Sequence, residues 1–278
     1  MYSIGRCTGT SAGTKGVKDV TEGRTLESIV DPFVQRVGGE RISEIVGNTN
    51  PQSSADYFFE RHGVIAELKS LQAGTFVESF QRKITDLMGR WQREGKLIVF
   101  GTARVDSNRL SPECREEMFS VMAASLQKHV VAAANAQIKS TKKLLNLPEA
   151  RGLLWVASDG NEFLQPNMVW YLLHRILKKT KANGDPAYSS IHGLAYFSPR
   201  MLGQIPGVAE PALIWFSSYR QRDPRLQACL RELSNEWPKY VAWAQGIFIR
   251  NARGTVEDVR FLGVKEKLMQ IRLDEDKM

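Results

Sequence analysis

The sequence predicts an α/β fold in which a mixed central sheet is flanked by helices. Three observations predict it. First, GLLWVAS (152–158) and SIHGLAYFS (190–198) are apolar runs of the length of buried strands, and a helical stretch opening at Pro166 and running to about Lys179 lies between them. Strand, helix and strand in that order imply two neighbouring parallel strands. Second, ADYFFERHGVIAELKSL (55–71) holds two short apolar segments around His62-Gly63, the pattern of an antiparallel hairpin. Third, the stretch from Pro112 to Leu147 is strongly helical and is closed by Pro148.

The remaining elements follow in chain order. Residues 1–22 are rich in Gly, Thr, Ser and Lys, and read as a mobile arm. The glycines at 9–16 lack the spacing of a phosphate-binding loop. A helix starts near Thr25 with Leu26, Ile29, Phe33 and Val37 on one face. Asp31-Pro32 is a place for a kink or break, and Gly38-Gly39 is the stop. RISEIV (41–46) alternates as a strand does. A helix is expected over 76–93 and a short strand over 96–100. ALIWFSSYR (212–220) reads as a strand, and Asp223-Pro224 opens a helix to about Asn235. AQGIFIRN and TVEDVRFLG read as a terminal hairpin around Ala252-Arg253-Gly254. No linker divides residues 23–278, which read as one α/β domain.

Composition narrows the function classes. The 278 residues are 42% hydrophobic, enough for a sizeable core, yet no run of about 18 apolar residues suggests a membrane span. Cys7, Cys114 and Cys229 are odd in number and far apart, which argues against a disulfide framework and fits a reducing cytoplasm. The N-terminal stretch lacks the apolar core of a secretory signal. A net charge of +8 makes a polyanion partner plausible without requiring one. The four histidines are scattered, with His192 inside an apolar strand as a core histidine. Neither a nucleophile elbow nor a Cys/His pair points to acyl transfer.

The hairpin carries the chemistry. Its second strand places Glu67 and Lys69 among Val64, Ile65, Ala66 and Leu68. Charged side chains are seldom buried unless paired or bound to a metal. Residues two apart on a strand share a face. A two-residue turn at His62-Gly63 would pair Arg61 with Val64, Phe58 with Glu67, and Asp56 with Lys69. Asp56, Glu67 and Lys69 then converge, whereas an odd turn would send Asp56 to the other face. Two carboxylates and a lysine together suit Mg²⁺ and an activated water. A structural ion pair is the competing reading.

An Asp, ten intervening residues and then Glu-Leu-Lys on an apolar strand resembles the PD-(D/E)xK nuclease superfamily, although Ala55 rather than Pro precedes Asp56. The resemblance covers about residues 25–198. It implies a restriction-endonuclease-like core, with 199–278 as a C-terminal extension. It further implies a Mg²⁺-dependent deoxyribonuclease, with Mn²⁺ as a substitute metal and DNA as the partner. Asp56, Glu67 and Leu68 would surround the metal, and Lys69 would assist the attacking water. Glu27 on the first helix would support the site, as would a glutamine on a core helix, Gln81 or Gln137. Gln137 is the better placed, because its helix leads into the GLLWVAS strand. Lys139, Lys142 and Lys143, together with Arg220, Arg222 and Arg225, are the candidate nucleic-acid contacts. A nuclease-like fold used only to bind DNA or protein is the alternative. A homo-oligomer, or a part in a larger defence or repair system, stays open, as do DNA against RNA and the cleavage site.

Overall fold

The computed structural model describes residues 4–7, 25–47, 54–71, 74–97, 110–158, 165–204, 212–245, 249–252 and 260–261. Its strands are β1 (Ile4–Cys7), β2 (Glu40–Arg41), β3 (Tyr57–Phe59), β4 (Val64–Ser70), β5 (Arg151–Ala157), β6 (Gly193–Gln204), β7 (Ala212–Tyr219), β8 (Ile249–Ala252) and β9 (Arg260–Phe261). The helices are α1 (Leu26–Arg36), α2 (Ile42–Ile45), α3 (Gly74–Arg93), α4 (Pro112–Leu126), α5 (Ala133–Leu144), α6 (Pro166–Leu177) and α7 (Pro224–Gln245).

All nine strands join one mixed sheet in the order β2-β3-β4-β5-β6-β7-β1-β8, with β9 paired to β6. β4, β5 and β6 run parallel and the other pairs are antiparallel. The parallel pairing of β5 with β6 is the arrangement the two apolar runs implied.

Alternation along the strands sorts the core onto two faces. Ile65, Leu154, Val156, Leu194, Tyr196, Ile214 and Phe216 face α3, α4, α5 and α6. Val64, Ala66, Leu153, Trp155, Phe197, Leu213 and Trp215 face α1 and α7. On this second side Trp155 packs against Phe197, Trp215 and Phe33, with ring centroids 5.1, 6.0 and 6.1 Å away. Both sides of the parallel strands are therefore covered, which is why those strands read as unbroken apolar runs.

Several expectations are corrected. RISEIV is not a strand: only Glu40–Arg41 pairs with β3, and Ile42–Ile45 turns into a short helix. Ile42, Ile45 and Val46 have the i, i+3, i+4 spacing of a helix, and Glu44 stands where strict alternation needs an apolar residue, so the helical period is the better fit. Pro32 neither breaks nor ends α1, which runs through it to Arg36. The long helix from Pro112 has a wide π turn at Gln127–Ala132 between α4 and α5, which resets the helical phase. α7 extends to Gln245, ten residues past the expected end and through Pro238. Trp237, Tyr240 and Val241 continue its buried stripe, and their packing outweighs the one hydrogen bond that proline forfeits.

Among the described residues, the C-terminal strands pair elsewhere than in the expected hairpin. β8 pairs with β1 and β9 with β6. The arm expectation fails for Ile4–Cys7, which pair with both β7 and β8. Residues 8–22 and the expected strand at 98–100 lie outside the described residues. Cys114 and Cys229 are free and buried. Among the described residues, no helix is long and apolar enough to cross a membrane.

One glycine is fixed by close approach. A Cβ at Gly152, on the face of β5 that meets α5, would lie 2.0 Å from the Ser190 carbonyl oxygen and 2.7 Å from Ile138. Gly152→Ala is expected to cost about 3 kcal/mol, a fall in Tm of about 6–12 °C. A melt followed by circular dichroism within a degree or two of wild type would contradict that.

Candidate active site

The hairpin turn sets the site. Glu60–His62 form one 3-10 turn, and Gly63 closes it in the left-handed region at φ 60°. Four residues therefore separate the strands, not two. The register is Phe59 opposite Val64, Phe58 opposite Ile65, and Tyr57 opposite Ala66. The expected pairing of Phe58 with Glu67 is thus off by two residues. A shift of two preserves the face. One step beyond the last pair, Asp56 comes opposite Glu67 rather than opposite Lys69. Phe58 and Ile65 pack into the core on the side of α3–α6, so Asp56, Glu67 and Lys69 share that side.

The contacts are direct. Lys69 Nζ is 2.6 Å from Glu67 Oε1 and donates to Gln137 Oε1 at 2.7 Å. Gln137 Nε2 donates to the Ser54 carbonyl at 3.3 Å. The Leu68 amide donates to Asp56 Oδ2 at 2.7 Å. In a strand the N–H and C=O of one residue point to the same neighbour, so the Leu68 carbonyl is turned to the Asp56 side as well. Glu67 is only 1% exposed, while Asp56 and Lys69 are half-buried. Solvent reaches the site on the side of Asp56 and Lys69.

Two buried carboxyls this close cannot both ionise cheaply. Burial pushes Glu67 up to about 8, and the Asp56 charge adds to the rise, while Lys69 opposes it. Asp56 is raised by burial too, against the Leu68 amide and Lys69, with Glu27 adding to the rise. The two carboxyls are within hydrogen-bonding reach of each other. Such a bond needs a proton on one of them. With both ionised, Glu67 Oε2 is a buried oxygen that no N–H or O–H group serves. Neutralising that oxygen takes either a proton or a cation.

The other expected residues divide. Gln137 is brought to the site by α5. On the same helix face, one turn on, Thr141 Oγ1 accepts from the Ala55 amide at 2.7 Å and holds the chain just before Asp56. Thr141 and Ser54 were not anticipated. The signal for Thr141 was present: Gln137 and Thr141 are polar residues at helical spacing beside buried Ala134 and Ile138. Glu27 lies exposed in the first turn of α1, near enough for its charge to act on Asp56. Gln81 lies on α3, and Lys69 takes its glutamine from α5 instead.

Lys139 and Lys143, one turn apart, form an exposed stripe on the side of α5 away from Gln137 and Thr141. Lys142 is half-buried, and burial with the nearby Arg151 lowers its pKa. Arg220 is half-buried. Its guanidinium donates to the Tyr188 carbonyl at 2.9 Å and to the Leu177 carbonyl at the end of α6, so it serves the fold. Arg222 and Arg225 are exposed. Arg225 Nη1 comes near Gly63, at the turn of the hairpin. Six residues of strand, at about 3.3 Å each, put Lys69 about 20 Å along from there. Arg225 therefore stands at the turn end of β4, with Glu67 at the middle of the strand and Lys69 near its other end.

Among the described residues, no group of three or more His, Cys, Asp and Glu side chains is placed to hold a metal ion. The candidate donor set is two carboxylates with the Leu68 main chain beside them, which suits a cation that retains several of its waters. Comparison with family models, curated proteins and solved structures finds no match to this chain.

The carboxyl pair makes a pH prediction. Glu67 titrates near 4.5 when unperturbed and near 8 in the fold. Between those values the native state holds a proton that the unfolded chain has released. This contribution to stability is complete below pH 4.5 and is lost as pH rises through 8. The Tm of metal-free protein should therefore fall between pH 6 and 9, and Glu67→Gln should flatten the slope. An equal slope in Glu67→Gln would show that Glu67 carries no raised pKa.

Proposed function

We propose that this chain is a metal-dependent nuclease of the PD-(D/E)xK type that hydrolyses DNA phosphodiester bonds. The observation that carries the reading is the convergence of Asp56, Glu67 and Lys69 on one sheet face, with a buried Glu67 oxygen that no donor among the described residues serves. A purely structural Glu67–Lys69 pair would not explain a second carboxyl placed against the first. Removing charge from water without full pairing is costly, and a divalent cation supplies the missing partner.

Asp56 and Glu67, with the Leu68 main chain beside them, would hold Mg²⁺, or Mn²⁺ in its place. Such a cation lowers the pKa of water and stabilises charge on a transferring phosphoryl group. The chain's own residues provide orientation. An ammonium has three N–H donors. Glu67 and Gln137 take two of those of Lys69, which leaves the third to aim at a water or a phosphate oxygen. Gln137 is a positioning residue: it fixes the ammonium and is itself fixed by the Ser54 carbonyl. Hydrolysis would add the water oxygen to phosphorus and release the 3′-oxygen with a proton, leaving a 5′-phosphate. The net charge of +8 favours approach of a polyanion, and Lys139 and Lys143 are exposed on the helix that carries Gln137.

Assays on plasmid and linear DNA in Mg²⁺ and in Mn²⁺ test the proposal. Glu67→Ala is expected to abolish cleavage. Lys69→Ala should lower turnover by about 10²–10⁴-fold and leave Mn²⁺ affinity nearly unchanged. Gln137→Ala should lower kcat less, with little change in KM. Melts of each variant separate these effects from unfolding. Wild-type protein that cuts no DNA with either metal, or a folded Glu67→Ala that cuts as well as wild type, would sink the reading.

A further inference from the structure

A second candidate site lies away from the carboxylates. A cavity of about 290 Å³ opens between the end of α6 and the strands β6 and β7. It is near Gly193, which pairs with Leu153 and Tyr219, and so at the hairpin-turn end of the sheet. Its walls are largely apolar, with Leu177, Ile191 and Leu194 among them. A cavity of this kind with a few placed polar groups is the usual form of a small-molecule site.

The polar groups inside have fixed roles. His174 Nδ1 lies 2.9 Å from the Trp170 carbonyl, which can only accept. That nitrogen therefore carries the proton. Burial lowers the pKa of His174 against the opposing Trp170 carbonyl and so favours the neutral ring; with Nδ1 donating, the neutral ring has Nε2 as its acceptor. The partner of Nε2 is Ser218 Oγ at 2.8 Å, and the serine proton is directed to the histidine. The Trp170 ring, 4.4 Å away and edge-on, holds the imidazole in place. Ser218 Oγ is left with lone pairs alone, an acceptor on the cavity wall. At the rim stand an exposed ammonium, Lys178, and the ring of Tyr219, 40% exposed.

A ligand complementary to these groups brings a hydrogen-bond donor for Ser218 Oγ, an apolar body for the walls and an anionic tail for Lys178. Nucleotides whose base bears an exocyclic amine have all three. Among bases with an exocyclic amine, adenine alone carries no carbonyl oxygen to take out of water, and its ring nitrogens meet a lining that includes Thr180, His192 and Arg220 as well as the apolar walls. We propose that this cavity binds an adenine nucleotide, with its amine on Ser218 Oγ, its base between the apolar walls and its phosphate at Lys178. The site is independent of the carboxylate site and of the activity proposed for it.

Calorimetric titration of the full chain with AMP, IMP and adenosine tests this. IMP places a carbonyl oxygen where AMP has the amine, so acceptor would face acceptor. AMP should bind about tenfold or more tightly than IMP and more tightly than adenosine. Ser218→Ala should weaken AMP and leave IMP unchanged or tighter, closing the gap between them, and retained IMP binding shows that the cavity is intact. Lys178→Ala should weaken AMP and leave adenosine unchanged. Glu67→Ala should bind AMP as wild type does. Absence of AMP binding at millimolar concentration, equal affinity for AMP and IMP, or AMP binding lost with Glu67 would overturn the proposal.

Discussion

Two carboxyls pressed together beneath a sheet surface are the constraint on which the rest of this molecule turns. Glu67 sits in the middle of β4, almost fully out of water, and Asp56 is set against it across the hairpin. Neither can ionise freely there without a counter-charge. Lys69 supplies one positive charge to Glu67 Oε1, and the Leu68 amide serves Asp56. Among the described residues, the remaining Glu67 oxygen has no N–H or O–H donor while both carboxyls are ionised. A fold selected only for stability would do better with an apolar residue of similar volume at Glu67.

The scaffold around that pair is stiff. β4 is bonded along its full length to β5, from Val64 opposite Arg151 to Ser70 opposite Ala157. Aromatic packing between Trp155, Trp215 and Phe33 backs the sheet on the far side. On the near side α5 reaches over the hairpin with two side chains one turn apart. Thr141 holds the amide of Ala55, and Gln137 joins Ser54 to Lys69. The position of Asp56 therefore depends on a helix nearly ninety residues away in sequence. Such long-range support is what holds converging charges in one geometry.

The hairpin shows how far sequence reasoning reached and where it stopped. The even parity of the turn placed Asp56 and Glu67 on one face, although the turn holds four residues rather than two and the opposing pairs are shifted. Parity survives a slip of two, so the convergence was legible while the register was not. Gln137 was legible because its helix leads into β5. The Ser54 carbonyl was hidden, since a main-chain acceptor 83 residues from Gln137 leaves no local pattern, whereas Thr141, one helical turn from Gln137, was legible and passed over. RISEIV was misread as alternating: its apolar residues at 42, 45 and 46 follow helical spacing, and Glu44 breaks the alternation. Arg220 looked like a surface cation, yet two carbonyls in other elements claim it. The pairing of β1 with β7 and β8 is another long-range choice that a Gly- and Ser-rich stretch does not announce.

The central claim is that the Asp56–Glu67 pair exists to hold a divalent cation. A crystal structure grown with Mn²⁺ near pH 7, with anomalous scattering recorded at the manganese edge, tests it most directly. The account predicts one anomalous peak between the Asp56 and Glu67 carboxyls, about 2.0–2.2 Å from an oxygen of each, with the Lys69 ammonium displaced little. No peak there, with the two carboxyls still bridged to each other in the presence of millimolar Mn²⁺, would contradict it and return Glu67 and Lys69 to the role of a structural ion pair.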